Sequence, residues 1–302
     1  MSILRKLSCL FLLLFPMSQV VGAEDAPLEK KLRILITDGF GNHDWKATTE
    51  DIKAILKTDP SIQCEVSTVP KEKSKEWEKW LPPFSDYDLI IQNTTDIRVG
   101  ESWPEPAQRA LESYVSGGGG LYIFHSANNA FPEWKEYNLM IGLGWRDKDF
   151  GPAIQIVDGK KVVIPAGQGA GTGHGKRLDT VITRINDHPI HQGLPEKWMA
   201  ADLEIYRYAR GPAENMTVIS YALEPKTKMN FPIEWVIQYG KGRVYNSTYG
   251  HHMHKQEGTP AGIRCVAFRT ICIRACHWLA GVEVPSTVPE TYPTTEAISL
   301  SP

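Results

Sequence analysis

The sequence predicts an α/β protein on a doubly wound, mostly parallel sheet, with an elaborated C-terminal half carrying antiparallel strands. Three observations lead there. Short apolar runs alternate with helix-period segments through the first half, the order that builds βαβ units. The run DLIIQNT (88–94) is apolar throughout, as parallel strands covered on both faces are. Two distant segments, GGGGLYIFHSANNAF (117–131) and GRVYNSTYGHHMH (242–254), are strand-like runs that each break off in histidine. In an open α/β sheet the carboxyl ends of the strands form the ligand-binding rim.

Taken in order, RILITDG opens the first strand of the segment 33–45 and leads to a helix over about 46–57, where Ile52, Ile55 and Leu56 make an apolar stripe. QCEVSTV (63–69) is the second strand. The stretch 70–86 is charged and holds Trp77, Trp80 and Pro82-Pro83, which reads as a short helix and a turn. DLIIQNT is the third strand. Pro104 opens a helix that glycines 117–120 close, and LYIFH is the fourth strand. From about 130 to 215 the alternation is lost; glycines crowd AGQGAGTGHG (166–175) and only DTVITRI (179–185) reads as a strand, so this part is an insertion folding over the rim. VISYAL (218–223), IEWVIQY (233–239) and GRVYNSTY (242–249) read as antiparallel strands turned at YGKG. GIRCVAFRTICIRACHWLAG (262–281) reads as one helix closed by Gly281, and the Pro-, Ser- and Thr-rich residues 285–302 as a poorly ordered tail.

The 302 residues carry 42% hydrophobic and 23% charged side chains and a formal net charge of −2, enough for a sizeable core and without the basic footprint of a nucleic-acid binder. Arg5 and Lys6 precede the apolar residues 7–15, and Val21-Gly22-Ala23 follows. This is the layout of a secretory signal peptide cleaved after Ala23, the alternative being an uncleaved anchor. A single domain over 24–284, exported and most simply periplasmic, is the resulting expectation, with no other segment able to span a bilayer. Oxidising surroundings permit disulfides. Cys272 and Cys276 nevertheless lie one helical turn apart, and with Cys265 and Cys64 they form no CxxC pair, so the four read as core residues.

Histidine carries most of the candidate chemistry. His125, at a strand's end, suits metal ligation or proton transfer, against the plainer role of capping a tight turn. Ser126 beside it points away on an extended chain and makes a poor nucleophile–base partner. His251, His252 and His254 form HHMH after a strand, a pattern that binds divalent ions both specifically and adventitiously. His174 lies between two glycines that admit close backbone approach, or that make a mobile loop. His43 belongs to the rim, with Asp44 as a helix cap and Asp38 at the strand end. His188 and His191 read as turn residues and His277 as structural. Glu204 and Asp202 are the nearest carboxylates for a metal or a general base. Trp134, Trp145 and Tyr206 could stack on a sugar ring, although packing is the default for each; Asn128 is a polar candidate in the turn after His125.

In their order and spacing, NHDW (42–45), GGGLYIFHSANNAF (118–131), EYNLMIGLGW (136–145), TGHGKR (172–177), DHPIHQGLP (187–195), RGPAENMTV and YGKGRVYNSTYGH (239–251) resemble the ThuA-like (trehalose-utilisation) family, over roughly 31–283. That family belongs with the class I glutamine amidotransferase-like, flavodoxin-like folds. The resemblance implies a carbohydrate-related role, through keto-sugar intermediates. One departure matters: the amidotransferases carry a nucleophilic cysteine where His125 stands, and thiolate attack needs that thiol. A second is Ala200 in WMAADLEIY (198–206), where close relatives carry a histidine.

The expectation is therefore an exported enzyme acting on a sugar or keto-sugar by isomerisation, elimination or hydrolysis. Its pocket would hold a divalent ion such as zinc on His125, His174 and His251, with His43, His125 and Glu204 as catalytic groups. Asp38, Asn128, Trp145 and Tyr206 would contact the sugar. The alternative is a non-catalytic periplasmic carbohydrate-binding protein; a serine hydrolase lacks its GxSxG elbow.

Overall fold

The computed structural model describes residues 31–302, and Lys31–Pro302 forms one compact unit. The signal peptide read from residues 1–23 lies outside the described residues. β1 (Leu32–Asp38) leads to α1 (Trp45–Leu56), which Asp44 caps by accepting the Ala47 N–H at 3.1 Å. β2 (Ile62–Thr68), the one-turn α2 (Lys75–Glu78), β3 (Leu89–Gln92), α3 (Glu105–Gly117) and β4 (Gly120–Ile123) complete the first half. Every residue of β3 and β4 is buried, which explains why their sequence shows no alternation.

The middle is more regular than its glycines suggest. It holds α4 (Lys135–Ile141), the hairpin β5 (Ala153–Val157) and β6 (Lys160–Ile164), the two-residue β7 (Gly173–His174), β8 (Leu178–Arg184), β9 (Lys197–Leu203) and β10 (Tyr206–Arg207). β11 (Met216–Glu224), β12 (Met229–Tyr239) and β13 (Gly242–Ser247) follow, then α5 (Ala261–Arg264) and α6 (Val266–Ala280). An 11-stranded sheet runs β2-β1-β3-β4-β13-β12-β11-β8-β9, with β5 and β6 attached at β12. The first five strands are parallel and the rest antiparallel. The parallel order is the flavodoxin-like one, so β1, β3, β4 and β13 end on one rim.

One buried apolar layer joins α1 and α6 to the sheet through residues such as Ile52, Phe268 and Tyr245. Another joins α3 and α4 to the opposite face through Leu111, Tyr137 and Val244. Cys265, Cys272 and Cys276 are buried and Cys64 is half-buried; all four are free.

Two expectations are corrected. The stretch 262–281 is two helices, because Cys265 turns to φ −57°, ψ 122° between α5 and α6. The tail 285–302 lies along the domain. The backbone groups freed by that break take partners from it: Val266 N–H donates to Ser299 at 2.9 Å, and Ser301 N–H to Arg264 at 2.8 Å. Arg274, buried on α6, donates to the carbonyls of Ser286 and Thr287. Among the described residues no helix is long and apolar enough to cross a membrane.

Candidate functional site

Three loops on the rim deliver three imidazoles to one point. His43 follows β1, His125 opens the turn after β4, and His251 follows β13. One ring nitrogen of each lies within 4.8 Å of the others. Ring centroids are 5.0 Å apart for His43–His125, 4.8 Å for His43–His251 and 5.1 Å for His125–His251, all edge to face.

The local chain is shaped to place them. His125 has φ 44°, the left-handed region that a non-glycine residue enters at a cost of about 1–2 kcal/mol. Strain of this kind persists where a site needs it. Gly250 has φ 100°, and a Cβ there would lie 2.4 Å from the Phe124 ring, so only glycine lets β13 turn toward His251.

His125 is 2% exposed, and its Nδ1 lies 3.0 Å from the Thr248 carbonyl. Nδ1 must carry the proton to make that bond, which leaves Nε2 a bare lone pair. Nε2 is buried, has no hydrogen-bond partner and lies 3.7 Å from Glu204 Oε2. A ring held by a backbone carbonyl with its other nitrogen free is the usual arrangement of a metal-ligating histidine. Nδ1 of His43 similarly meets Asn42 Oδ1 at 2.9 Å. His251 differs: Arg177 donates to its Nδ1, while Nε2 lies 4.0 Å from Glu204 Oε1.

Glu204 closes the site between β9 and β10. It is 5% exposed, and its Oε1 lies 3.0 Å from Nδ1 of His174, a nitrogen that also meets the Gly175 carbonyl at 2.7 Å. Burial pushes its carboxyl up, but the His174 hydrogen bond and the fields of His125 and His251 outweigh this and hold it at about 2. The His174 bond to Glu204 raises His174 in turn. Burial lowers His43 to about 4, assisted by His251. Burial also lowers His251 to about 4, with Arg177 adding to it, and holds His125 well below its ordinary value. At neutral pH the centre is three uncharged imidazoles facing a carboxylate, the protonation state in which these groups ligate a divalent cation.

A cavity of about 300 Å³ opens from this cluster; His43, His174, Glu204, His251, Trp145 and Tyr206 are among its walls. Trp145, 37% exposed, sets its ring edge-on to Tyr206 and His174. A larger cavity, about 450 Å³, lies beside Asp51, Thr259 and Arg269 and contains none of these groups.

The candidates therefore separate. His43 joins His125 and His251, whereas His174, expected as a ligand, holds Glu204 instead. Trp145 and Tyr206 line the cavity. Asp38 does not: it is buried with its carboxylate accepting the hydroxyls of Thr49 and Thr68, both at 2.7 Å, which ties β1 to α1 and β2. Asn128 is fully buried behind the rim, its Nδ2 3.4 Å from the Ser247 carbonyl. Its neighbour Asn129 faces the cavity, accepting the Trp145 N–H at 2.8 Å and donating to the Tyr206 hydroxyl at 3.2 Å. Trp134 packs in the α3–α4 layer and donates to Glu112. His252, His254, His191 and His277 pair with Asp51, Asp44, Glu234 and Asp59, away from the cluster. Asp202 pairs with Arg177 at 3.2 Å. Ala200 is buried in the core. Asn129 and Arg177 also belong to the site; the only sequence signal for either is its place inside SANN and TGHGKR. No cysteine lines this cavity.

A family model described as ThuA, trehalose utilisation, matches residues 33–279. The chain belongs to the ThuA family. The domain is similar to a ThuA-like protein from Parabacteroides merdae, with a TM-score of 0.83 and 29% identity over 90% of this chain and 98% of that one. A ThuA-like protein from Bacteroides uniformis gives a TM-score of 0.51 at 15% identity, over 84% of this chain and 95% of that one, and so shares the fold. Among curated proteins none matches the chain. The description of that family points to a carbohydrate-related function, and the mixed α/β fold expected from the sequence is the one observed.

Proposed function

We propose that this ThuA protein is an exported, metal-dependent enzyme acting on a sugar or keto-sugar. The observation that carries the reading is the buried, unpartnered Nε2 of His125 facing two further neutral imidazoles. His43, His125 and His251 would hold the ion, leaving a position open, as in catalytic zinc sites of three protein ligands. A divalent ion there supplies a Lewis acid for a carbonyl or hydroxyl oxygen.

The chain's own groups do the rest. Glu204, ionised and held by His174, accepts a proton from a carbon beside a carbonyl or from a hydroxyl. Trp145 offers an aromatic face to the C–H side of a sugar ring, and Asn129 keeps Trp145 and Tyr206 in register. Isomerisation and elimination begin from removal of the C–H proton, and hydrolysis from removal of a proton from the attacking water.

A second reading rests on Arg177. As a donor to Nδ1 of His251 it places that ring's proton on Nε2, a tautomer that offers no lone pair there. Three neutral rings without an ion would make a carbohydrate-binding protein. Metal analysis of tag-free protein and of His125→Ala separates the two. Near-stoichiometric zinc or manganese that disappears in the variant supports the enzyme; a metal-free wild type, able to bind sugar, supports the binding protein.

A further inference from the structure

His252 turns its side chain away from the cluster that its neighbour His251 joins. Its ring is 5% exposed, and Nδ1 lies 2.7 Å from Oδ2 of Asp51, itself buried on α1. The other oxygen of Asp51 accepts the Thr259 hydroxyl at 3.2 Å. The main chain makes a second link: Asp44 N–H donates to the His252 carbonyl at 3.0 Å, and Asp44 caps the helix that bears Asp51. Asp44 and Asp51 are about two helical turns apart. The α1 segment, the side-chain link and the backbone link therefore close a ring of bonds, and the residues just before its two backbone anchors are His43 and His251.

We propose that Asp51 and His252 form a positioning strut that sets the separation of the His43 and His251 rings. This rests on the reading of the imidazoles as a metal centre. The physical need is that a ligand set must be held to within about 0.5 Å by its supporting groups, which two loops do not achieve unaided. The rim loops otherwise end on glycine- and turn-rich chain, and the strut transfers the rigidity of α1 to both. The Asp51 carboxylate is spent on this link and not on the cavity of the site.

The test uses the full domain with Asp51→Ala, Asp51→Asn and His252→Ala. Asparagine at 51 keeps an acceptor for the His252 N–H; the other two sever the side-chain link while keeping the backbone bond from Asp44. Two readouts are taken. Crystal structures of the metal-free variants should show the His43–His251 centroid distance, 4.8 Å in the parent, enlarged by about 1 Å or more, or one ring displaced, in Asp51→Ala and His252→Ala but not in Asp51→Asn. Zinc affinity by chelator competition should fall about 10–100-fold in the same two variants and be largely retained in Asp51→Asn. Unchanged ring positions in variants that merely melt earlier overturn the strut. A wild type that takes no zinc overturns the metal reading, and the ring positions then decide the strut on their own.

Discussion

At His125 the backbone and the side chain ask for different residues. The left-handed φ favours glycine, while the bond from Nδ1 to Thr248 and the free Nε2 need an imidazole. The order of two variants should expose this. His125→Gly is expected to be more stable than His125→Ala by about 1 kcal/mol, reversing the usual preference for alanine, because glycine alone relaxes at this φ. Urea unfolding of the two proteins measures the difference; an alanine variant as stable as the glycine one removes the strain argument. The imidazoles themselves were legible in the sequence, since each follows a recognisable strand. Which of them share a centre was not. His43 and His174 look alike as rim residues, and only the β7–β10 pairing, which sets His174 against Tyr206, turns His174 toward Glu204.

Among the elements, the parallel strands were readable because burial on both faces leaves continuous apolar runs. The break at Cys265 was not. Its neighbours continue a helical pattern, and the groups that compensate the break come from residues 299 and 301, beyond any local window. The docking of the tail was hidden for the same reason: polar, proline-rich chain signals disorder until a helix end offers it partners. Gly250 belongs to this scale, because it decides how β13 ends. Gly250→Ala should cost about 1–3 kcal/mol by forcing an off-region φ and a contact with Phe124. It should also move His251, so that metal or sugar affinity falls with stability in calorimetric titration. An alanine variant with parental stability and affinity contradicts the steric account.

Across the whole molecule, a buried carboxylate links the antiparallel half to the parallel one. Glu234 on β12 is fully buried and receives Ser220 at 2.5 Å, Tyr245 at 2.7 Å and His191 at 3.2 Å. Burial pushes it up, but the His191 field and these hydrogen bonds outweigh burial and leave it below its ordinary 4.5. A folded-state value below the unfolded one gives stability that is present above pH 4.5 and lost as pH falls through the folded value. Glu234→Gln should therefore unfold more easily at pH 7, by about 1–3 kcal/mol, and lose part of the acid dependence of the parent between pH 4.5 and lower values. Denaturant midpoints at several pH values check both; parallel curves for parent and variant contradict the assignment. The sequence marked His191 as a turn residue, which it is, but its partner lies 43 positions away on another strand.

The proposed function requires one divalent ion among His43, His125 and His251. Anomalous scattering from zinc-soaked crystals of the tag-free domain tests it most directly. The account predicts a single strong peak about 2.0–2.1 Å from one nitrogen of each ring, with Arg177 turned from His251 toward Asp202. No peak there, or a peak only at the exposed His254, would contradict it.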